Sequence, residues 1–356
     1  MSNHSPYAAR SLLRHYLLAG YVLLIFYASL SPFFGWQELG LEFGSVLTSP
    51  LRLTFSTFDA ISNWLAYLPL GVLLALTLRN RSAFGRSVLL ATLGGMLLSC
   101  CLEYAQLYLP SRTSSNTDIL TNTLGAFSGA LLASATAQHP WFTRLTQRRI
   151  ELLRPGQGVN FGLSLVLLWM FAQINPSLPI LGNVFITEAA HRIFMAMPDE
   201  PFNVWESVAV ALNLLMIGLL MQNLLRARRH AVVALVLILC VVALIKFVAA
   251  ALLLKSWALL LWLNGEAMLG IVMGLVLMWG VGWIRRPYLL VVAEGAVLGY
   301  LVLAVWVLDS GTPSAAMRLY QWRFGHLLNY NGMSQIVSVI FPLMLGSYLV
   351  WTRRRL

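Results

Sequence analysis

Uncharged stretches of about twenty residues are the feature that most restricts what this chain can fold into. A helix of about 20 residues rises far enough to cross the hydrocarbon core of a bilayer. Of the 356 residues, 59% are hydrophobic and only 10% are charged, which is too little charge to cover a soluble domain. The sequence therefore predicts an all-α, polytopic transmembrane helical bundle. Its ten expected spans are residues 13–33, 59–78, 87–108, 118–136, 159–175, 204–225, 231–254, 257–283, 288–308 and 327–350.

Most of the basic residues lie on one side of these spans. The formal net charge of +11 would by itself suggest a nucleic-acid partner. With the N-terminus in the cytoplasm, however, all six loops on that side contain arginine, and of the thirteen acidic residues only Glu151 is there. This positive-inside pattern predicts both termini in the cytoplasm, a multi-pass protein of the cell inner (cytoplasmic) membrane, and no nucleic-acid partner. The six loops are 1–12, 79–86, 137–158, 226–230, 284–287 and 351–356.

Three segments on the opposite, outer side are too long to be simple turns. They are residues 35–57, 176–203 and 309–326. Each mixes aromatic and charged residues, as segments at membrane interfaces do. We expect these segments to form a cap over the outer face.

Two short similarities predict a parallel internal repeat of spans 1–4 and 5–8. YASLSP at 27–32 compares with FAQINP at 171–176, and LGAFSGAL at 124–131 compares with LGIVMGLV at 269–276. In each copy the second match lies three spans after the first, so order and direction agree. The expected domains are a four-helix membrane domain at 13–136, a degenerate second repeat at 159–283 and two additional C-terminal helices within 288–356.

Polar side chains concentrate at the outer ends of spans 2, 3 and 4. Each of these spans contributes two such residues, three or four positions apart and therefore on one face of the helix. The loop between spans 3 and 4 adds an arginine at the same level. Because ionisable groups are costly in a membrane, we expect this outer-face cluster to point inward and to pair. The outer-face cluster consists of Asp59, Asn63, Glu103, Gln106, Arg112, Asp118 and Asn122.

The same residues resemble the VanZ-like family. The shared pattern is F-D-x-x-x-N at 58–63, P-L-G at 69–71, E-x-x-Q at 103–106, R at 112 and D-x-x-x-N-T-x-G-x-x-x-G at 118–129. The resemblance covers roughly residues 15–136, and this chain is much longer than the minimal domain. The family's namesake is associated with low-level resistance to the glycopeptide teicoplanin. The resemblance therefore implies a role in the cell envelope at the outer face of the membrane, without implying a reaction.

Several functions of the outer-face cluster remain open on the residues alone. It could bind an amphiphile of the outer leaflet, namely a membrane lipid, a lipid-linked envelope precursor or an acylated antibiotic, with Arg112 holding an anionic group by two parallel hydrogen bonds. It could belong to an intramembrane enzyme acting on a lipid-linked substrate, with Glu103 as general base or with carboxylates around a divalent cation. It could be a polar clasp in a structural scaffold, with Asp118 capping its helix and Glu103 paired with Arg112. A lipid transporter is a further alternative.

Beyond this cluster the sequence indicates one other intramembrane polar site. Lys246 in span 7 and Glu266 in span 8 are expected to pair, with Glu294 of span 9 as a further partner. We predict no cofactor and no resident metal ion. Neither the oligomeric state nor the presence of an enzymatic activity follows from the sequence.

Overall fold

The computed structural model describes residues 12–51, 57–78, 83–137, 139–156, 158–186, 202–227, 229–308, 316–321 and 325–355. Within them the chain is helical, with two short 3₁₀ segments, Ser256–Ala258 and Met317–Leu319, and no strand. The α-helices are α1 (Leu13–Leu30), α2 (Phe43–Thr48), α3 (Thr57–Leu78), α4 (Phe84–Gln106), α5 (Asn116–Thr136), α6 (Pro140–Leu152), α7 (Val159–Gln173), α8 (Val204–Leu224), α9 (Arg229–Leu253), α10 (Gly265–Val281), α11 (Arg286–Trp306) and α12 (Gly325–Arg353).

Eight of the helices in the described ranges are long and apolar enough to cross a membrane. α7 and α10 are also apolar but have only 15 and 17 residues. Each of the ten expected spans thus coincides with a helix, and eight of these helices reach the usual spanning length. The predicted all-α fold with multiple apolar helices of spanning length is therefore confirmed in the described residues, whereas the count of ten spans and their orientation remain predictions.

The chain divides into two compact units, Met1–Arg149 and Ile150–Leu356. In the first unit α3, α4 and α5 pack against one another, and α1 lies against α3 and α4. In the second unit α8 is central and contacts α7, α9, α10 and α11, while α12 packs against α7 and α11. The central position of α8 explains why it is apolar all round.

Glycine brings α3 and α5 into backbone contact in the first unit. A Cβ added at Gly125 would lie 2.3 Å from the carbonyl oxygen of Trp64, and one at Gly129 would lie 2.0 Å from that of Leu68. Gly71 of α3 meets α5 equally closely. Small residues are what allow helix backbones to approach within a membrane. The G-x-x-x-G of α5 therefore fixes this helix, and the polar residues on it, against α3.

The second unit contains a similar contact between α8 and α10. A Cβ added at Gly270 would lie 2.6 Å from the carbonyl oxygen of Ser207. One added at Gly274 would lie 3.2 Å from the carbonyl oxygen of Ala211. In both units, then, a glycine pair four residues apart on one helix faces two carbonyl oxygens four residues apart on its neighbour.

The first of the expected outer segments packs on the ends of α4 and α5. Phe43 of α2 meets Tyr104 of α4 edge to face, with ring centroids 5.6 Å apart. The Asn116 side chain at the start of α5 donates to the carbonyl oxygen of Ser49 at 2.6 Å. Large parts of the other expected cap segments, at 187–201 and 309–315, lie outside the described residues. A cap formed by all three segments therefore remains a prediction.

Lys246 is fully buried in α9, but it does not pair with Glu266. Its Nζ donates to the carbonyl oxygens of Gln173 at 2.8 Å and Asn175 at 2.5 Å. The expected ion pair is therefore wrong. The ammonium group is held instead by the carbonyl oxygen of Gln173, the last residue of α7, and by that of Asn175, which also accepts from the backbone N–H of Leu178 at 3.4 Å.

Glu294 of α11 also has a partner outside the expected pair. Its Oε2 accepts a hydrogen bond from Nη1 of Arg353, near the end of α12, at 2.7 Å. The Arg353 side chain is half exposed, so this ion pair contributes little to stability. Its role is to join α11 and α12 within the second unit.

Candidate functional site

Glu103 lies in the last turn of α4 and is only 4% exposed. It shares one buried face of α4 with Gly95 and Ser99, which precede it at intervals of four residues. Its Oε2 accepts a hydrogen bond from the backbone N–H of Ser115 at 2.8 Å. A carboxylate that accepts from the backbone at a helix start makes a strong, charge-assisted bond. Glu103 therefore fixes the position at which α5 begins.

Helix α5 begins two residues earlier than the sequence predicted, and this changes the role of Asp118. The N-cap is Ser115, whose Oγ accepts from the backbone N–H of Thr117 at 3.2 Å. The interpretation of Asp118 as the cap is therefore wrong. Asp118 lies in the first turn, where a carboxylate complements the helix dipole, and it is close enough to Glu103 to act on it electrostatically.

Asn122 connects α5 to the same face of α4. Its Nδ2 donates to Oγ of Ser99 at 2.9 Å, and both side chains are buried. The Tyr67 hydroxyl of α3 also reaches Ser99, so three helices meet at this serine. Sequence reasoning missed Ser99 and Tyr67. Helical spacing could have identified both residues, because Ser99 lies one turn before Glu103 on the same face of α4 and Tyr67 lies one turn after Asn63 on the same face of α3.

Arg112 donates its hydrogen bonds to the end of α1 and not to Glu103. Its Nη2 donates to the carbonyl oxygens of Ala28 at 2.9 Å and Ser31 at 3.0 Å, and its Nε also donates to Ser31 at 3.3 Å. Gln106 adds a bond from Nε2 to the carbonyl oxygen of Ser29 at 3.0 Å. These carbonyl groups lack helical partners because α1 ends there. The structure therefore assigns Arg112 and Gln106 to capping α1.

This arrangement differs from the expected Glu103–Arg112 pair. Glu103 forms no ion pair with Arg112 in the described part of the chain. Burial lowers the pKa of Arg112, and the nearby carboxylate of Glu103 opposes this shift. The Nε–Nη2 edge of the guanidinium, which would hold an anion by two parallel bonds, is already occupied by α1.

Asp59 and Asn63 lie on the first two turns of α3 and are half-buried. Among the described residues, Asn63 forms no hydrogen bond with its side chain, and Asp59 makes no hydrogen bond to Glu103. Within the same residues, no three His, Cys, Asp or Glu side chains lie close enough together to hold a metal ion. The outer-face cluster is thus divided: Glu103, Asp118 and Asn122 are close together, whereas Gln106 and Arg112 serve α1.

Comparison with known families gives one match. A sequence model of the family described as VanZ/LLP1 matches residues 12–137, little more than a third of the chain. The matched segment runs from α1 to the end of α5 and contains the whole outer-face cluster, so the resemblance read from the motifs is confirmed for this segment. No curated protein and no solved structure matches the chain.

Proposed function

We propose that the VanZ-like segment, residues 12–137, binds the polar headgroup of an amphiphile from the outer leaflet. Through this binding the protein contributes to cell-envelope physiology, including tolerance of the glycopeptide teicoplanin. The observation that supports the proposal is unused hydrogen-bonding capacity at a buried position. It lies where α3, α4 and α5 meet.

Two polar side chains of the site have capacity that the protein itself does not use. Oδ1 of Asn122 is buried and accepts no hydrogen bond within the described residues. Glu103 accepts from Ser115 through Oε2 and also interacts with the Ser114 side chain, but a carboxylate can accept further hydrogen bonds. Buried polar atoms without partners cost free energy, so they favour a ligand that supplies the missing bonds. Since the Asn122 oxygen and the Glu103 carboxylate are both acceptors, the ligand must donate through hydroxyl, amide N–H or ammonium groups.

The surroundings of the site suit the apolar part of such a ligand. From the end of α1 through α2 the outer segment, which packs on the ends of α4 and α5, exposes several large apolar side chains. Exposed aromatic and aliphatic groups of this kind are usual where a protein meets the interface of a bilayer. An amphiphile can therefore keep its chain in lipid while its headgroup reaches Glu103. The exposed side chains are Phe33, Phe34, Trp36, Leu39, Leu41 and Leu47.

A lipid-linked envelope precursor and an acylated glycopeptide both have this chemistry. Each combines a hydrocarbon chain with a headgroup rich in hydroxyl and amide donors. Arg112 has an indirect role in this proposal, because it positions α1 beside the site. We place the site at the outer face of the inner membrane, with both termini in the cytoplasm and with α7 and α10 as the two shorter of ten spans.

We also propose that spans 1–4 and spans 5–8 descend from one duplicated four-span element, to which α11 and α12 were added. The aligned glycines Gly125 and Gly270 begin equivalent helix contacts, α5 with α3 and α10 with α8. The aligned residues Ser31 and Asn175 each offer a carbonyl oxygen to a basic side chain, Arg112 in one unit and Lys246 in the other. The sequence similarity and two independent contacts thus support the same correspondence.

The proposal is tested by Glu103→Gln with Glu42→Gln as its matched control. Both substitutions remove one acidic group on the expected outer side, but Glu42 is exposed and its side chain does not cap α2. Wild type and variants are expressed at equal membrane levels in a host without an outer membrane. We expect wild type and Glu42→Gln to raise the inhibitory concentration of teicoplanin more than that of vancomycin, which lacks the acyl chain. Glu103→Gln should lose most of this protection.

Binding is then measured directly with purified protein in nanodiscs. Titration with teicoplanin should give a dissociation constant about tenfold higher for Glu103→Gln, as expected for the loss of one charged hydrogen bond of about 1.5 kcal/mol. Mass spectrometry of copurified lipids tests the lipid-linked alternative in the same samples. Equal teicoplanin affinity and equal lipid content for both variants, with only a lower melting temperature for Glu103→Gln, would show that the site is a structural clasp.

A further inference from the structure

Helix α6 follows directly after a candidate membrane span and is not packed into a protein core. It starts at Pro140, four residues after α5 ends at Thr136, and none of its residues is buried. Helices this short are marginal in water unless one face is covered. Within the described residues the protein holds α6 at its end, where the backbone N–H of Arg226 donates to the carbonyl oxygen of Leu152 at 2.9 Å, and a further surface that covers one face would stabilise the rest of the helix.

The sequence of α6, PWFTRLTQRRIEL, is amphipathic. Trp141, Leu145 and Leu152 fall on one side at helical spacing, and the opposite side presents Thr143 and Gln147. All three apolar side chains are exposed, with 58% of Leu145 accessible. Ile150 is the one large apolar residue of α6 on the polar side. An exposed stripe of this kind marks a docking surface.

Arginines border the apolar side and indicate what it docks on. Arg144 and Arg148 are exposed on one edge, four residues apart, and within the described residues neither forms a hydrogen bond or an ion pair. Arg149 lies on the other edge, and Glu151 is the only acidic residue of the helix. Long basic side chains at the edges of an apolar face can bury their stems while their charges reach phosphate groups. This charge pattern complements an anionic lipid surface.

The position of α6 in the chain supports the same occupant. The arginine distribution predicts that the loop containing α6 faces the cytoplasm, where an anionic leaflet attracts basic segments close to a span. We propose that α6 lies in the plane of the cytoplasmic leaflet, with Trp141 and Leu145 in the acyl boundary and Arg144 and Arg148 on anionic phospholipid headgroups. This contact is independent of the proposed outer-face site.

The test uses the full chain in nanodiscs with a single spin label on α6. The three cysteines, Cys100, Cys101 and Cys240, are replaced by alanine, and one cysteine is introduced as Leu145→Cys or, on the opposite side, as Gln147→Cys. The discs contain phosphatidylcholine alone or mixed with phosphatidylglycerol. Accessibility to oxygen, which partitions into lipid, is compared with accessibility to a water-soluble nickel chelate.

We expect the label at Leu145→Cys to be lipid-exposed in the anionic discs and the label at Gln147→Cys to be water-exposed. Adding Arg144→Gln and Arg148→Gln should lower the lipid-bound population by roughly fivefold for each arginine. Both sites are exposed, so the substitutions should not disturb folding, and Trp141→Cys provides a second position on the apolar side. The proposal would be overturned if the labels on both faces were equally exposed to water in the anionic discs. It would also be overturned if the depth of the label at Leu145→Cys changed neither with the anionic lipid nor with the arginine substitutions. The first outcome would favour a protein partner for the apolar side, and the second would show insertion that does not recognise anionic headgroups.

Discussion

Arg112 shows how one side chain can hold two parts of the first unit together. It donates three hydrogen bonds to the carbonyl oxygens of Ala28 and Ser31, which α1 cannot satisfy itself. Because the guanidinium is planar and presents several donors in a fixed arrangement, it can serve both acceptors at once. The loop that carries Arg112 also carries Ser115, the residue that Glu103 binds. Displacement of Arg112 should therefore disturb both the end of α1 and the position of Ser115 beside Glu103.

Replacing Arg112 with lysine should lower the free energy of unfolding by about 2 kcal/mol, because the charge stays but only one acceptor can be reached well. Arg112→Gln should cost more, since it also removes the charge. Thermal unfolding of purified protein in detergent measures both. Arg144→Lys, an exposed change without partners among the described residues, serves as the control. Equal melting temperatures for Arg112→Lys and Arg144→Lys would mean that the bonds to α1 do not contribute to stability.

The sequence predicted the members of the outer-face cluster better than their partners. Glu103 and Asn122 could be placed on inward faces because helical spacing fixes the face of each residue. Arg112 could not be assigned, since its direction depends on where α1 ends, and helix ends are poorly determined by periodicity. The same uncertainty misplaced the cap of α5, where the serine that caps lies just outside the expected span. Partners that depend on a helix end are the least predictable part of this site.

At the scale of helices, the glycines determine how closely the polar faces approach. Gly125 and Gly129 let α5 touch the carbonyl oxygens of α3, and this contact brings Asn122 to the level of Ser99. The pattern G-x-x-x-G is typical of close helix approach, but it does not specify the partner helix, because any neighbouring span could accept it. The partner became clear only from the packing of α3 against α5.

Gly129→Ala should destabilise the protein by about 1–3 kcal/mol or more, because its Cβ would lie 2.0 Å from the carbonyl oxygen of Leu68 and would force the helix backbones apart. Gly20→Ala is the matched control, since a Cβ at Gly20 in α1 would meet nothing within 4 Å. Its effect should stay within about 1 kcal/mol, the difference in helix propensity. Both are compared by thermal unfolding in the same detergent, together with teicoplanin affinity. If the two variants unfold alike, α3 and α5 are not in the contact described here.

At the scale of the whole molecule, hydropathy predicted ten spans and located a helix in each, but it did not predict that two of these helices are short for a bilayer. All ten expected spans are helices because a segment in lipid must satisfy its backbone internally. Two of these helices, α7 and α10, are shorter than the spans that the sequence predicted, with 15 and 17 residues. At a rise of about 1.5 Å per residue, 15 residues of α7 cover roughly 22 Å, less than the usual hydrocarbon thickness of about 30 Å. The number of crossings therefore has to be measured.

The first unit provides an internal reference for that measurement. Ser45 in α2 and Thr146 in α6 are separated by α3, α4 and α5, which all have spanning length. The two residues should therefore lie on opposite sides of the membrane. In a chain whose native cysteines are replaced by alanine, Ser45→Cys should react with an impermeant maleimide in intact cells. Thr146→Cys should react only after permeabilisation, because the arginine-rich loops are cytoplasmic.

Arg226→Cys and Arg285→Cys then decide the role of the two shorter helices. Only α7 and α8 separate Thr146 from Arg226, and only α9 and α10 separate Arg226 from Arg285. If both α7 and α10 cross, Arg226→Cys and Arg285→Cys are protected in intact cells, as Thr146→Cys is. If α7 does not cross, Arg226→Cys becomes reactive from outside. If α10 alone does not cross, Arg285→Cys becomes reactive instead. Protection at both positions would support ten spans, and the first reactive position would identify the helix that enters the membrane without crossing it.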